Sequence, residues 1–132
     1  MMEIEKKVQL QTNTNTKQLQ LHCKYVVQDS FTFYLSVTSG LFRGESVICI
    51  RRDQILDFIT SLEHLNSTLE GTVKLNDNDS DSYLYFTMID HGHIKVKGQV
   101  GGLHEDHYMC FEFITDQTVI SPFIKELKNI LG

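Results

Sequence analysis

Residues 82–114 read "SYLYFTMIDHGHIKVKGQVGGLHEDHYMCFEFI". Ile94, Val96 and Val100 alternate with His93, Lys95, Lys97 and Gln99. Met109, Phe111 and Phe113 alternate with Tyr108, Cys110 and Glu112. A period of two is the mark of a strand with one buried face. With "LEGTVKL" at 69–75 upstream, the stretch predicts a four-stranded antiparallel meander. Its register is strongly specified, because a slip by one residue would turn every apolar side chain to water.

The pattern continues toward the N-terminus. "LQLHCKYVV" at 19–27 places Leu19, Leu21, Cys23, Tyr25 and Val27 on one face, and "FTFYLSV" at 31–37 turns Phe31, Phe33, Leu35 and Val37 inward. The "QDS" between them reads as a hairpin turn. A shorter strand is expected over 4–11, closed by the polar "TNTNTK". "GESVICIRR" at 44–52 is apolar on both faces and is read as a central strand. Two segments change period to that of a helix. In "RRDQILDFITSLEHLNS", Ile55, Phe58, Ile59, Leu62 and Leu65 form one stripe over about three turns, with Asp53 as the expected cap. In "DQTVISPFIKELKNILG", Ser121 and Pro122 look like a cap followed by a first-turn proline, and Phe123, Ile124, Leu127, Ile130 and Leu131 form the stripe. The order β–α–β–α, without sequence repeats or linkers, predicts one α+β domain over 1–132. It is predominantly antiparallel, with about seven to eight strands and two amphipathic helices. One curved sheet and two packed sheets are both compatible with this pattern.

The chain has 132 residues, 41% of them hydrophobic, and a formal net charge of −5 from 17 acidic and 12 basic residues. A chain of this length buries enough surface to need no disulfide or metal staple. Its acidity argues against a nucleic-acid surface, which needs a basic patch, and suits a basic protein partner. Cys23, Cys49 and Cys110 are widely spaced, odd in number and form no CxxC pair. They are expected to be buried reduced thiols. "MMEIEKKVQLQ" lacks the apolar core of a signal peptide, and no stretch approaches the ~20 apolar residues of a membrane span. The expectation is a cytoplasmic chain.

His91, His93, His104 and His107 suggest a metal site by their density. The meander divides them between turns at opposite ends of its third strand, about 25 Å apart at ~3.3 Å per residue. Ligands must converge to ~2 Å around one ion, so no metal site and no cofactor are expected. The same up-and-down order brings the loops "NDNDSDS" at 76–82 and "GGLHED" at 101–106 to one end. Asp77, Asp79, Asp81, Glu105 and Asp106 then form an acidic rim that would attract a cationic surface, although two solvated loops would look the same. The Asp-x-Asp-x-Asp echo of a calcium loop fails, because Ser82 stands where glycine is needed and Met88 where glutamate is needed. There is no G-x-S-x-G elbow and no HExxH, and "GQVGG" at 98–102 leads into a turn rather than a helix. No catalytic residues are assigned.

The segment "CFEFITDQTVISPFIKELKNIL" from Cys110 to Leu131 resembles the WapI-type immunity proteins, bacterial antidotes to wall-associated contact-dependent toxins. Phe111, Phe113 and the turn Thr115-Asp116-Gln117-Thr118 carry the likeness. Upstream, "LFRGESVICIRRDQILDFITSLEHLNSTLEGTVKL" is similar to the family's strand–helix–strand unit, so the resemblance covers roughly residues 41–132. It implies a non-enzymatic inhibitor of a toxin domain, often a nuclease, with no nucleic-acid or membrane partner. Physically, Asp116, Gln117 and Thr118 also suit a structural turn that satisfies free backbone groups. The alternatives from other classes are a small β-rich ligand-binding or scaffold domain and a metal or enzyme site on His104 and His107. A homo-oligomer is compatible with the sequence.

Overall fold

Eight strands and two long helices follow one another as four strands, helix, four strands, helix in the computed structural model, which describes residues 2–90, 92–103 and 107–132, with side chains from residue 5 onward. Strands β1 (Met2–Leu10), β2 (Lys17–Val27), β3 (Ser30–Ser39) and β4 (Phe42–Arg51) form one antiparallel sheet in chain order. Strands β5 (Thr72–Asn76), β6 (Tyr83–Asp90), β7 (His93–Gly101) and β8 (Tyr108–Asp116) form a second. Helix α1 (Arg52–Thr68) joins the sheets, and α2 (Ile120–Leu131) ends the chain. The fold is α+β with two packed sheets rather than one curved sheet.

The alternating patterns bury as expected: Leu19, Leu21, Phe31, Phe33, Leu35, Val37, Ile94, Val96, Phe111 and Phe113 all enter one core. Both helices lay their stripes on it. The rings of Phe58 on α1, Phe86 on β6 and Phe123 on α2 meet there, with centroids 5.7 to 6.3 Å apart.

Several expectations change. The pairing of β2 with β3 shifts between Cys23 and Tyr25, so Val26 turns inward while Tyr25 and Val27 are exposed. A bulge adds one residue and reverses the alternation beyond it. Strand β4 is the edge of the first sheet, not its centre, and Val47 faces solvent. Helix α1 runs 17 residues, longer than its pattern suggested. Its cap is Arg51, whose N–H donates to Gln54 Oε1 at 2.9 Å, and Asp53 lies in the first turn. It ends at Leu69 in the left-handed conformation, whose N–H donates to the Leu65 carbonyl at 3.0 Å. Helix α2 begins at Ile120, so Ser121 and Pro122 lie inside its first turn, where a proline removes only an unpaired N–H. The three cysteines are free, but only Cys23 is buried. Cys49 is half-buried and Cys110 is exposed. Burial pushes the Cys23 thiol up to about 11.

The two halves repeat one plan. Moved by 65 positions, the buried stripe Ile55, Phe58, Ile59, Leu62, Leu65 becomes Ile120, Phe123, Ile124, Leu127, Ile130. The strand pair Val8–Leu21 likewise becomes Val73–Phe86. Each helix packs against the first strand of the other half, α1 on β5 and α2 on β1. Each half's last strand also meets strand ends of the other sheet. Gly44 on β4 lies against Met109 at the start of β8, while Cys49 is bonded to the loop that follows β5. In return, Lys17 Nζ and Ser39 Oγ donate to the carbonyls of Ile114 and Glu112 on β8, at 2.7 and 3.4 Å. Open sheet edges invite pairing with other chains, and here much of the edge backbone is covered from across the molecule.

Candidate partner-binding surface

The loop after β5 and the loop after β7 lie at the same end of the second sheet, as the meander requires. They are tied together: the Gly101 N–H donates to the buried Ser82 Oγ at 2.9 Å, and Gly102 lies beside the Asp81 side chain. Asp77, Asp79 and Asp81 therefore share this end, while Glu105 and Asp106 lie outside the described residues.

The three described aspartates differ. Asp77 is half-buried, and its Oδ1 accepts from the Cys49 N–H at 2.7 Å and the Asp79 N–H at 3.2 Å. Its Oδ2 accepts from the Ser80 hydroxyl. The neighbouring Asn78 N–H donates to the Cys49 carbonyl at 3.2 Å, so the loop caps the β4 edge like a short extra strand. Asp79 and Asp81 are exposed, and no hydrogen bond reaches their carboxylates from the described residues. Burial, then the charges of Asp79 and Asp77, push the Cys49 thiol up, so the loop's field reaches the β4 edge. Exposed aromatic groups flank the nearby Gly44–Met109 contact: Phe42 is 73% and Tyr108 65% exposed.

The histidines stay apart. His93 opens β7 and His107 follows its far end, while His91 and His104 lie outside the described residues. His93 Nδ1 lies 3.4 Å from Asp90. Among the described residues no three metal-ligating side chains cluster, and no helix is long and apolar enough to cross a membrane.

At the opposite end of β8, Asp116 Oδ1 accepts the Thr118 N–H at 2.9 Å and starts a 3-10 turn over Gln117–Val119 that leads into α2. Gln117 donates from its side chain to Asn66 Oδ1 at 2.9 Å and from its backbone to the Gly92 carbonyl at 2.7 Å. The turn thus ties α1, β7 and α2 together. Thr118, through its N–H and hydroxyl, holds the Asp116 carboxyl below its ordinary range.

Sequence reasoning did not single out the groove between α1 and β5. One recess of about 340 Å³ is lined by Thr60, Ser61, His64, Leu65, Glu70 and Thr72, among others. A second of about 210 Å³ continues past Ser61 to Gln54, Asp57, Lys74 and Asn76. Nothing in local alternation announces it, because it is made by a helix and a strand edge from different halves.

The sequence model of the Immunity protein WapI-like family matches residues 15–132, extending the likeness through β2 and β3. The chain belongs to this family. No match was found among curated proteins. Among solved structures, the chain is similar to Trypanosoma brucei MRP1/MRP2, with a TM-score of 0.55 at 10% identity over 99% of this chain and 85% of that one. At that identity the likeness is one of fold.

Proposed function

We propose that this immunity-family protein is a stoichiometric inhibitor that binds the toxin domain of its own cell, in the cytoplasm, and acts by occlusion rather than catalysis. The observation that carries the reading is the family match over nearly the whole chain. The acidic end of the second sheet gives it a surface. Asp79 and Asp81 present negative charge to a basic partner, the sequence adds the acids Glu105 and Asp106 between β7 and β8, and a nuclease with a basic substrate channel is the toxin class that fits. Asp77 contributes charge to this rim while its oxygens hold the loop to β4. Phe42 and Tyr108 supply the large aromatic groups that typically dominate such interfaces.

The test is co-purification and calorimetry with the C-terminal region of the protein encoded immediately upstream, together with protection of cells expressing that region. A tight complex that silences toxicity is the expected result, and absence of binding would remove the reading. Within a complex, neutralising Asp79, Asp81, Glu105 and Asp106 to the matching amides should slow association and flatten its salt dependence. Stopped-flow rates at two ionic strengths measure both. Unchanged rates would take the rim out of the interface.

A further inference from the structure

The two halves treat their helix–strand grooves differently. On β1, the Gln9 N–H points away from β2 and is capped by Glu126 Oε1 of α2 at 3.2 Å. Lys6 Nζ crosses the same groove to the Asn129 carbonyl at 2.8 Å. Moved back by 65 positions, Glu126 becomes Ser61 and Asn129 becomes His64. The shift carries Gln9 to Lys74 and Lys6 to Gly71. Both bridging side chains are therefore missing from the groove between α1 and β5. Ser61 is too short to reach the strand, and Gly71 has no side chain.

The outward backbone groups of that edge have no hydrogen-bond partner among the described residues. The Met88 N–H donates to the Gly71 carbonyl, and the Asp77 N–H to the Ser82 carbonyl, so residues 71, 73, 75 and 77 bond inward to β6. Thr72, Lys74 and Asn76 then point their N–H and C=O groups outward, along the open groove. No hydrogen bond from the described residues reaches them. Although α1 packs on β5 as α2 does on β1, only the other three sheet edges make backbone hydrogen bonds across the molecule among the described residues: β1 with α2, β4 with Asp77 and Asn78, and β8 with Lys17 and Ser39.

We propose that the α1–β5 groove receives an extended segment of the toxin, which adds to the second sheet as a strand beside β5. Strand addition takes its affinity from main-chain hydrogen bonds and its selectivity from the side chains that alternate along the added strand. The walls carry Asp57 and Glu70, and the groove leads at Asn76 into the loop bearing Asp79 and Asp81. Lys74 holds its own ammonium over the Tyr85 ring, 5.1 Å from the centroid. The segment that fits therefore carries lysine or arginine. A second copy of this chain fits poorly, because antiparallel pairing of β5 with itself about its middle residue sets Lys74 against Lys74. This inference rests on the toxin-binding reading.

The experiment uses the full chain and the upstream-encoded toxin domain as probe. Ser61→Glu restores the cap found in the other half at an exposed helix position and replaces serine with a better helix former, so the protein stays folded. Lys74→Pro removes the outward N–H and leaves the bonds of Val73 and Leu75 to β6 in place. Each variant is expected to weaken toxin binding by about tenfold or more. In the wild-type complex, amide exchange at Lys74 and Asn76 is expected to slow. Full-strength binding by both variants with unslowed exchange would overturn the groove and leave the immunity reading standing. No binding by the wild-type chain would overturn that reading and the occupant with it. Slow exchange at Lys74 in concentrated protein alone, with dimers in sedimentation, would assign the groove to a second copy instead.

Discussion

Gly98 shows how a single atom is excluded. It sits on the inward face of β7 between Val96 and Val100, where a Cβ would come within 2.1 Å of the Tyr83 carbonyl oxygen and 3.0 Å of the Phe111 ring. Its neighbours Gly101 and Gly102 adopt positive φ and make the turn, so "GQVGG" mixes one packing glycine with two turn glycines. Gly98→Ala should lower stability by about 1–3 kcal/mol through overpacking, read from the denaturant midpoint. The sequence shows the glycine but not the ring from β8 that fills its place. Asp116 makes a second case. Its carboxyl is held low in the folded chain, so its stabilising share is complete above the ordinary aspartate range and fades as pH falls through the lower folded value. Asp116→Asn should therefore flatten the fall in stability with pH below about pH 4, measured by thermal melts in a pH series.

At the scale of elements, what was legible was whatever repeats along one segment. The inward sides of β3, β7 and β8 and both helical stripes follow from local alternation, and all are buried except Met109 and Leu131, which are partly buried at the margin of the core. Three features escaped for physical reasons. The bulge after Cys23 reverses a face through one unpaired residue, without altering composition. Strand β4 looked central because it is apolar on both sides, whereas its edge is covered by Asp77 and Asn78, nearly thirty residues further on. The groove beside β5 depends on what Ser61 and Gly71 fail to supply, which alternation cannot register. Of the predicted rim, the sequence placed the loops at one end but could not separate Asp77, engaged with β4, from exposed Asp79. Asp77→Ala should speed amide exchange at Cys49 and lower the melting temperature, while Asp79→Ala should leave both unchanged. Equal effects would remove the structural role of Asp77.

Across the whole molecule, the repeated plan is invisible as sequence because the halves share burial classes rather than residues: Leu21 answers to Phe86, and Ser61 to Glu126. What binds the halves is their exchange of helices over the junction of Phe58, Phe86 and Phe123. Phe58→Ala should cost about 3–5 kcal/mol and shift a single unfolding transition without splitting it, as tested by following circular dichroism and amide exchange together. Two transitions would mean that the halves unfold independently. The bond from Lys6 to the Asn129 carbonyl carries another consequence. It ties β1 to α2 across 123 positions of sequence, so the strand and the helix can meet only once nearly everything between them has been gathered in. Contacts that close so long a loop are among the last to repay their entropic cost, so the first strand and the last helix should lock late, as one event.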